Sequence, residues 1–186
     1  MEKQELRKKL LAARKAMAPE EKAWRDKAIG ERLLVWMEAN PVSSIGVYWP
    51  MQGEPDLTAI YRVLDERGAQ LALPVVVRRN APLVFYAWRP GDVLAADAHG
   101  VMAPVKRGAD VQPELLVVPC VGFDASGYRL GYGGGYYDRT LAGKQPLRTV
   151  GIAYAMCEAV FGAGGHDVRM DTVVTENCTC PHAFPL

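Results

Sequence analysis

The sequence has no long hydrophobic run and no excess of charge of one sign. Its longest apolar stretch, residues 115–123, is far shorter than the roughly 20 residues that a membrane-spanning helix needs. The formal net charge is +1, whereas proteins that bind nucleic acids or membrane surfaces usually carry a basic excess. The first nine residues are rich in charged side chains, and no apolar segment that could be a signal peptide follows them. We therefore expect a cytoplasmic protein that binds neither membranes nor nucleic acids.

Cysteine is scarce too, with four in 186 residues. In the cytoplasm, Cys120, Cys157, Cys178 and Cys180 are expected to be reduced thiols rather than a disulfide framework. The segment CTCPH, which begins at Cys178, contains residue types that bind metals. It has no second Cys or His pair at zinc-site spacing, so we predict no zinc site there.

The pattern of apolar residues predicts a single α/β domain over residues 1–186. Helical spacing predicts a first helix that ends before Pro19, a second from Pro19 to about Asn40, and a third over residues 56–67. Strands are predicted at residues 44–49, 70–77, 83–88, 115–118, 149–154 and 172–175. Residues 92–109 have no strong period and are predicted to form a long surface loop. Alternating strands and helices indicate a layered fold with a mostly parallel central sheet flanked by helices.

A glycine-rich segment, RLGYGGGYYDRTL at residues 129–141, follows one of these predicted strands. Ligands of open α/β sheets bind beyond the carboxyl ends of the strands. Glycines allow positive φ angles, so that backbone N–H groups can converge on an anion, as can those of a helix beginning at Tyr136 or Tyr137. The alternative is a mobile surface linker. The bulky side chains of Tyr136, Tyr137 and Leu141 argue against it, because a solvated hinge would not use them.

The side chains around these glycines suit a phosphate group. Arg129 and Arg139 are cations suited to phosphate, and Asp138 is a candidate ligand for a magnesium ion. The segment is not a Walker A loop, since no lysine lies between Cys120 and Thr140.

The first helix carries cations beside its apolar face. Lys3, Arg7 and Arg14 fall within roughly a 40° arc at about 100° per residue, next to the stripe of Leu6 and Leu10. They could extend over apolar surface toward water, or they could meet an anionic ligand.

The turn YWPMQGEPDL, at residues 48–57, follows the first predicted strand. It contains Trp49, Met51 and Glu54. Trp49 could stack on a flat heteroaromatic ligand while Glu54 accepts the ligand's N–H groups. The alternative is a helix-entry turn in which Glu54 and Asp56 lie near a helix N-terminus.

The segment VPCVGFDASGYRLGYGGGYYDRTL, at residues 118–141, resembles the signature of the 5-formyltetrahydrofolate cyclo-ligase family, also called 5,10-methenyltetrahydrofolate synthetases. Shorter matches occur at Lys3 and Arg7, at MQGE (residues 51–54) and at VRMDTVVTE (residues 168–176). The central motif is long and specific, whereas the outer matches depend on its support. Some family members carry lysine where this chain has Gly134, which leaves more of the phosphate charge to Arg7, Arg129 and the metal.

The resemblance implies an enzyme that uses ATP to close 5-formyltetrahydrofolate into 5,10-methenyltetrahydrofolate, releasing ADP and phosphate. The implied ATP-binding residues are Lys3, Arg7, Arg129, Leu130, Gly131, Tyr132, Gly133, Gly134, Gly135, Tyr136 and Tyr137. The implied folate-binding residues are Trp49, Met51, Glu54, Tyr136 and Tyr137. Arg129 and Asp138 are the implied catalytic residues, and Asp138 and Asp171 the implied Mg²⁺ ligands. We expect a monomer that acts on small molecules. Two alternatives remain, namely a regulatory protein that binds nucleotide or folate without turnover, and an enzyme of similar fold with another phosphate-bearing substrate.

Overall fold

The computed structural model describes residues 2–97, 100–142, 147–165 and 167–181. The helices are α1 (Lys3–Lys15), α2 (Pro19–Ala39), α3 (Thr58–Glu66) and α4 (Tyr136–Ala142), and a 3-10 turn covers Ala155–Cys157. The strands are β1 (Ser44–Gly46), β2 (Gln70–Val75), β3 (Val84–Ala87), β4 (Leu94–Ala96), β5 (Met102–Pro104), β6 (Asp110–Val111), β7 (Leu115–Pro119), β8 (Gly122–Phe123), β9 (Arg129–Leu130), β10 (Arg148–Ile152), β11 (Thr172–Val174) and β12 (Thr179–Pro181).

The main sheet has eight strands in the order β12-β11-β10-β7-β1-β2-β3-β6. The five central strands, from β11 to β2, are parallel to one another. The strands nearer the two edges are antiparallel: β12 pairs with β11, β3 with β2, and β6 with β3. The prediction of a mostly parallel sheet flanked by helices is confirmed.

Helices cover both faces of this sheet. Leu115 and Val117 of β7 belong to one hydrophobic cluster, together with buried residues of α1, α2 and α3. Leu116 and Val118 point to the opposite face and belong to a second cluster, which includes Leu141 of α4. Successive side chains of a strand alternate between the faces, so a strand covered on both sides reads as a continuous apolar run. This is why the apolar run at the start of LLVVP could be predicted as a strand from the sequence.

Six short strands were not predicted from the sequence, namely β4, β5, β6, β8, β9 and β12. Residues 92–109 are not simply a loop, because β4 and β5 pair there as an antiparallel ladder. The tail beyond Glu176 contributes β12 to the edge of the sheet. Both depend on three-residue strands, which are too short to show a period of two.

The expectation of four reduced cysteines is wrong for two of them. Cys178 and Cys180 form a disulfide across one intervening residue, with Cα atoms 5.8 Å apart. Residues two apart on a strand point to the same face, so their sulfur atoms can meet there. Cys120 and Cys157 are free and buried. The rest of the CTCPH segment, at position 182, lies outside the described residues.

Candidate active site

A cavity of about 770 Å³ lies at the carboxyl ends of the parallel strands. Tyr48 and Trp49 reach it from beyond β1, Pro74 and Val76 from the end of β2, and Pro119 from the end of β7. This is the edge of an α/β sheet at which ligands bind. With one exception, the residues assigned above to ATP, folate, metal or catalysis line this cavity: Lys3, Arg7, Trp49, Met51, Glu54 and residues 129–138.

The glycine-rich segment forms one wall of the cavity, between β9 and α4. Gly133 and Gly135 have φ angles of 97° and 65°, in the region that L side chains rarely adopt. The predicted need for positive φ is therefore confirmed at two of the four glycines. Helix α4 begins at Tyr136, directly after the loop, as expected.

A buried ion pair lies beneath this loop. Nη2 of Arg129 donates to Oδ1 of Asp138 over 2.7 Å, and the two side chains are 4% and 22% exposed. The guanidinium carbon lies 5.4 Å from the ring centroid of Tyr137, close enough for a cation–π contact. Nε of Arg129 is buried and has no hydrogen-bond partner within the part of the chain that the structure describes. The pair thus combines a fixed cation with a carboxylate at the cavity wall.

Helix α1 brings two further cations to the cavity. Nε of Arg7 donates to the carbonyl of Gly131 over 2.7 Å, which ties the helix to the glycine-rich segment. Nζ of Lys3 lies 2.5 Å from Oδ2 of Asp167, which also accepts a hydrogen bond from the backbone N–H of Gly164. Burial acts to raise the pKa of Asp167, but these hydrogen bonds outweigh it and lower that pKa. The interpretation of Lys3 and Arg7 as site residues agrees with their positions.

Beside the loop, the turn after β1 presents a buried carboxylate. Oε1 of Glu54 accepts a hydrogen bond from the hydroxyl of Tyr132 over 2.7 Å, and Oε2 accepts one from the backbone N–H of Met51 over 2.9 Å. Burial raises the pKa of Glu54 to about 7, although both hydrogen bonds and the charge of Arg14 act to lower it. Trp49 packs edge-on against Trp88, with ring centroids 5.9 Å apart. The turn thus offers an acceptor and an aromatic surface to one side of the cavity.

The sequence reasoning did not single out two residues that complete this arrangement. Arg14, considered above only as part of the basic stripe, is 2% exposed and lies within hydrogen-bonding reach of Tyr132 and the carbonyl of Cys120. Asp167 lines the cavity and holds Lys3. The arc position of Arg14 was a signal in the sequence, whereas nothing near Asp167 distinguished it from any other loop carboxylate.

Asp171 is the exception to the predicted site. Its Oδ2 accepts hydrogen bonds from the backbone N–H and Oγ1 of Thr149, over 2.7 and 2.9 Å. Both residues lie at the amino ends of β10 and β11, at the edge of the sheet opposite the cavity. The structure therefore does not bring Asp171 together with Asp138.

Within the described ranges, no group of three or more His, Cys, Asp or Glu side chains could hold a metal ion. Nor does any described helix have the length and apolar character to cross a membrane.

Comparison with known proteins places these features in a family. The model of the 5-formyltetrahydrofolate cyclo-ligase family matches residues 1–176. The 5-formyltetrahydrofolate cyclo-ligase of Escherichia coli (strain K12) is 30% identical over 170 residues, which cover 87% of this chain and 93% of that protein. The protein of the same name from Mycolicibacterium smegmatis is 33% identical over 158 residues, which cover 78% of this chain and 80% of its own.

Solved structures agree with these relatives. The NMR structure of Aquifex aeolicus 5,10-methenyltetrahydrofolate synthetase is similar with a TM-score of 0.85 and 33% identity, covering all of this chain and 95% of its own. The structure of a 5,10-methenyltetrahydrofolate synthetase from Mycoplasma pneumoniae has a TM-score of 0.79 and 25% identity, covering 95% and 99%. The resemblance noted in the glycine-rich segment thus extends over the fold and nearly the whole chain, and the protein belongs to the 5-formyltetrahydrofolate cyclo-ligase family.

Proposed function

We propose that this protein uses ATP to close 5-formyltetrahydrofolate into 5,10-methenyltetrahydrofolate, with release of ADP and phosphate. The observation that carries the proposal is the joining of two unlike walls in one cavity. One wall holds the glycine-rich segment with Arg129 and Asp138, and the other holds Trp49 and Glu54. A triphosphate and a flat heteroaromatic ring need these two environments, and the reaction needs them side by side.

The chemical difficulty of the reaction is a weak electrophile. The formyl group is an amide, and its nitrogen donates electron density into the carbonyl. Attack of the formyl oxygen on the γ-phosphorus of ATP breaks the bond to ADP and converts that oxygen into part of a leaving group. N10 of the folate then attacks the formyl carbon, the C–O bond breaks with departure of phosphate, and the proton of N10 is lost to solvent.

The residues of the first wall suit the phosphoryl-transfer step. That step requires alignment and neutralisation of charge more than covalent help from the protein. Arg129 is buried beside the loop and would face the charge that develops on the transferred group. Arg7 holds the carbonyl of Gly131, so it would fix the loop as well as supply charge. Lys3, now paired with Asp167, would contribute a further cation near the phosphates.

The residues of the second wall suit the folate ring. The Glu54 carboxylate would accept N–H bonds from the ring, and its orientation is already fixed by Tyr132 and by the N–H of Met51. Trp49 would pack against the face of the ring. Tyr136 and Tyr137 line the cavity at the start of α4, and would meet the substrate between the two walls.

The donor set fits a magnesium ion that is shared with the nucleotide. Proteins commonly hold Mg²⁺ through one or two carboxylates together with substrate phosphates. Asp138 would be such a ligand, since Oδ1 accepts from Arg129 while Oδ2 accepts no hydrogen bond from the described residues. When bound, the ion would neutralise charge on the β- and γ-phosphates. Asp171 is not part of this proposal, because it lies at the other edge of the sheet.

We also propose that the enzyme works as a cytoplasmic monomer. The cavity brings together the cations of α1, the turn after β1 and the glycine-rich segment of one chain. ATP as a substrate favours an intracellular reaction. Light scattering of the purified protein would test this oligomeric state, since a monomer should have the mass of one chain, 20.4 kDa.

The activity itself can be tested by near-ultraviolet absorbance. The methenyl product has a conjugated chromophore that the substrate lacks. Purified protein with 5-formyltetrahydrofolate and Mg-ATP should give a rise in absorbance that stops when ATP is omitted. The variant Asp138→Ala serves as a matched control and should give a much slower rise. A flat trace with the unmodified protein, alongside an active relative, would contradict the proposal.

A further inference from the structure

Arg14 is a buried cation to which the proposed reaction assigns no part. It lies near the end of α1, and 2% of its surface is exposed. Nη2 donates to the carbonyl of Cys120, just beyond β7, while Nη1 lies 3.5 Å from the hydroxyl of Tyr132. Its guanidinium carbon lies 6.0 Å from the ring centroid of Tyr154. Burying a guanidinium is costly, so these contacts must compensate for the loss of water.

Tyr132 connects Arg14 to Glu54, the buried carboxylate of the turn after β1. The hydroxyl of Tyr132 donates its proton to Oε1 of Glu54 over 2.7 Å, so its oxygen is free to accept from Arg14. The direction of these bonds is fixed, because a guanidinium can only donate. Arg14, Tyr132 and Glu54 thus form a chain that connects α1, the glycine-rich segment and the turn after β1.

The charge of Arg14 also acts on Glu54. The titratable groups that interact with Glu54 from the surrounding elements are Tyr48 beyond β1, Tyr61 of α3, Cys120 beyond β7, Tyr132 of the glycine-rich segment, Tyr137 of α4 and Arg14 of α1. The phenols and the thiol are neutral near pH 7, because burial raises their pKa values. Arg14 is therefore the cation in this set, and its charge opposes the effect of burial on the pKa of Glu54.

We propose that Arg14 is a positioning residue for the folate substrate, acting through Tyr132 to orient Glu54 and placing a positive charge near its carboxyl group. This inference rests on the proposed function, in which Glu54 accepts N–H bonds from the folate ring. Arg14 itself would touch neither substrate. Its removal should therefore change how the enzyme uses folate and leave its use of ATP nearly unchanged.

The variant Arg14→Met tests this inference by steady-state kinetics over a range of pH. At pH 7 we expect the KM for 5-formyltetrahydrofolate to rise about tenfold, because Glu54 would lose part of its orientation and its nearby positive charge, while the KM for ATP stays within about twofold. The acid limb of kcat/KM for folate should move to higher pH, since Glu54 without the nearby cation gains its proton more readily. Arg14→Lys keeps the charge and should return the limb toward the wild-type position.

Controls separate this role from a merely structural one. Lys9→Met removes an exposed cation from the same helix and should change neither KM nor the pH profile. If Arg14→Met does not fold, Tyr132→Phe breaks the same chain while leaving Arg14 in place, and it should raise the folate KM and shift the acid limb in the same direction. Equal increases in both KM values, or an unmoved acid limb in a folded variant, would overturn the inference. If the unmodified protein showed no ATP-dependent turnover, the proposed function would be overturned instead.

Discussion

Removing Asp138 should impair folding as well as turnover, because Asp138 neutralises a guanidinium that water hardly reaches. The Arg129 side chain is 4% exposed, whereas Asp138 is 22% exposed. Nε of Arg129 already has no partner in the described part of the chain. Asp138→Ala would therefore leave a buried cation compensated mainly by the ring of Tyr137, 5.4 Å away. Arg129→Met would instead leave a carboxylate that still has some access to water.

This asymmetry sets the expected magnitudes. Removing one partner of a buried ion pair typically costs 3–5 kcal/mol, so we expect about 3 kcal/mol of unfolding free energy for Asp138→Ala. For Arg129→Met we expect about 1–2 kcal/mol, because the remaining carboxylate is partly solvated. The double variant should cost about as much as Arg129→Met alone, since no uncompensated charge stays buried. Each single substitution should lower kcat by about 100-fold or more, as loss of a contact to the transition state does.

Denaturant unfolding of the three variants, with initial rates from the methenyl absorbance, measures both quantities. A double-mutant cycle isolates the coupling between the two side chains. Strictly additive stability changes would show that the pair is not coupled. Near-normal rates for both single variants would refute their assignment to the reaction, whatever the stabilities.

Four further outcomes are expected. Glu54→Gln should weaken folate use more than the binding of an ATP analogue, measured by isothermal titration; equal losses would contradict the folate assignment. The same variant should gain stability relative to the unmodified protein as pH rises from about 4.5 toward 8, because the folded-state pKa of about 7 makes loss of the Glu54 proton costly. Gly133→Ala should cost about 1–2 kcal/mol from its positive φ and raise the KM for ATP, while Gly68→Ala, with a similar φ but outside the cavity, should cost stability alone. Reducing the bond between Cys178 and Cys180 should leave turnover unchanged, since neither residue lines the cavity. A rate that changes with dithiothreitol in the unmodified protein, but not in a Cys178→Ser control, would contradict this expectation.

The parts of the site that were predictable from sequence have local causes. Gly133 and Gly135 lie in a short loop whose backbone conformation itself requires glycine, so their spacing reveals the loop. The apolar run of β7 follows from a strand covered on both faces. The first strand was predicted too long, since β1 ends at Gly46 although the chain stays buried as far as Tyr48.

The parts that were not predictable depend on contacts between distant segments. Asp167 is a site residue because Lys3, 164 positions earlier, reaches it. Arg14 donates to the carbonyl of Cys120, 106 residues away. Its place on the helix arc grouped it with Lys3 and Arg7, but could not show that it alone of the three is fully buried. Asp171 differs from both, since the motif match predicted a metal ligand and in the fold its carboxylate accepts hydrogen bonds from Thr149.

The contacts of α1 also bear on how the enzyme is made. A ribosome releases α1 before the strands on which it packs, and its partners in the cavity, Gly131 and Asp167, are 124 and 164 residues later. While the intervening sheet is being synthesised, the apolar face of Leu6 and Leu10 has no completed surface to cover. Contacts of such long sequence separation form late in folding. The nascent chain should therefore remain inactive until its last parallel strands emerge, and a chaperone that shields α1 during translation should increase the yield of active enzyme.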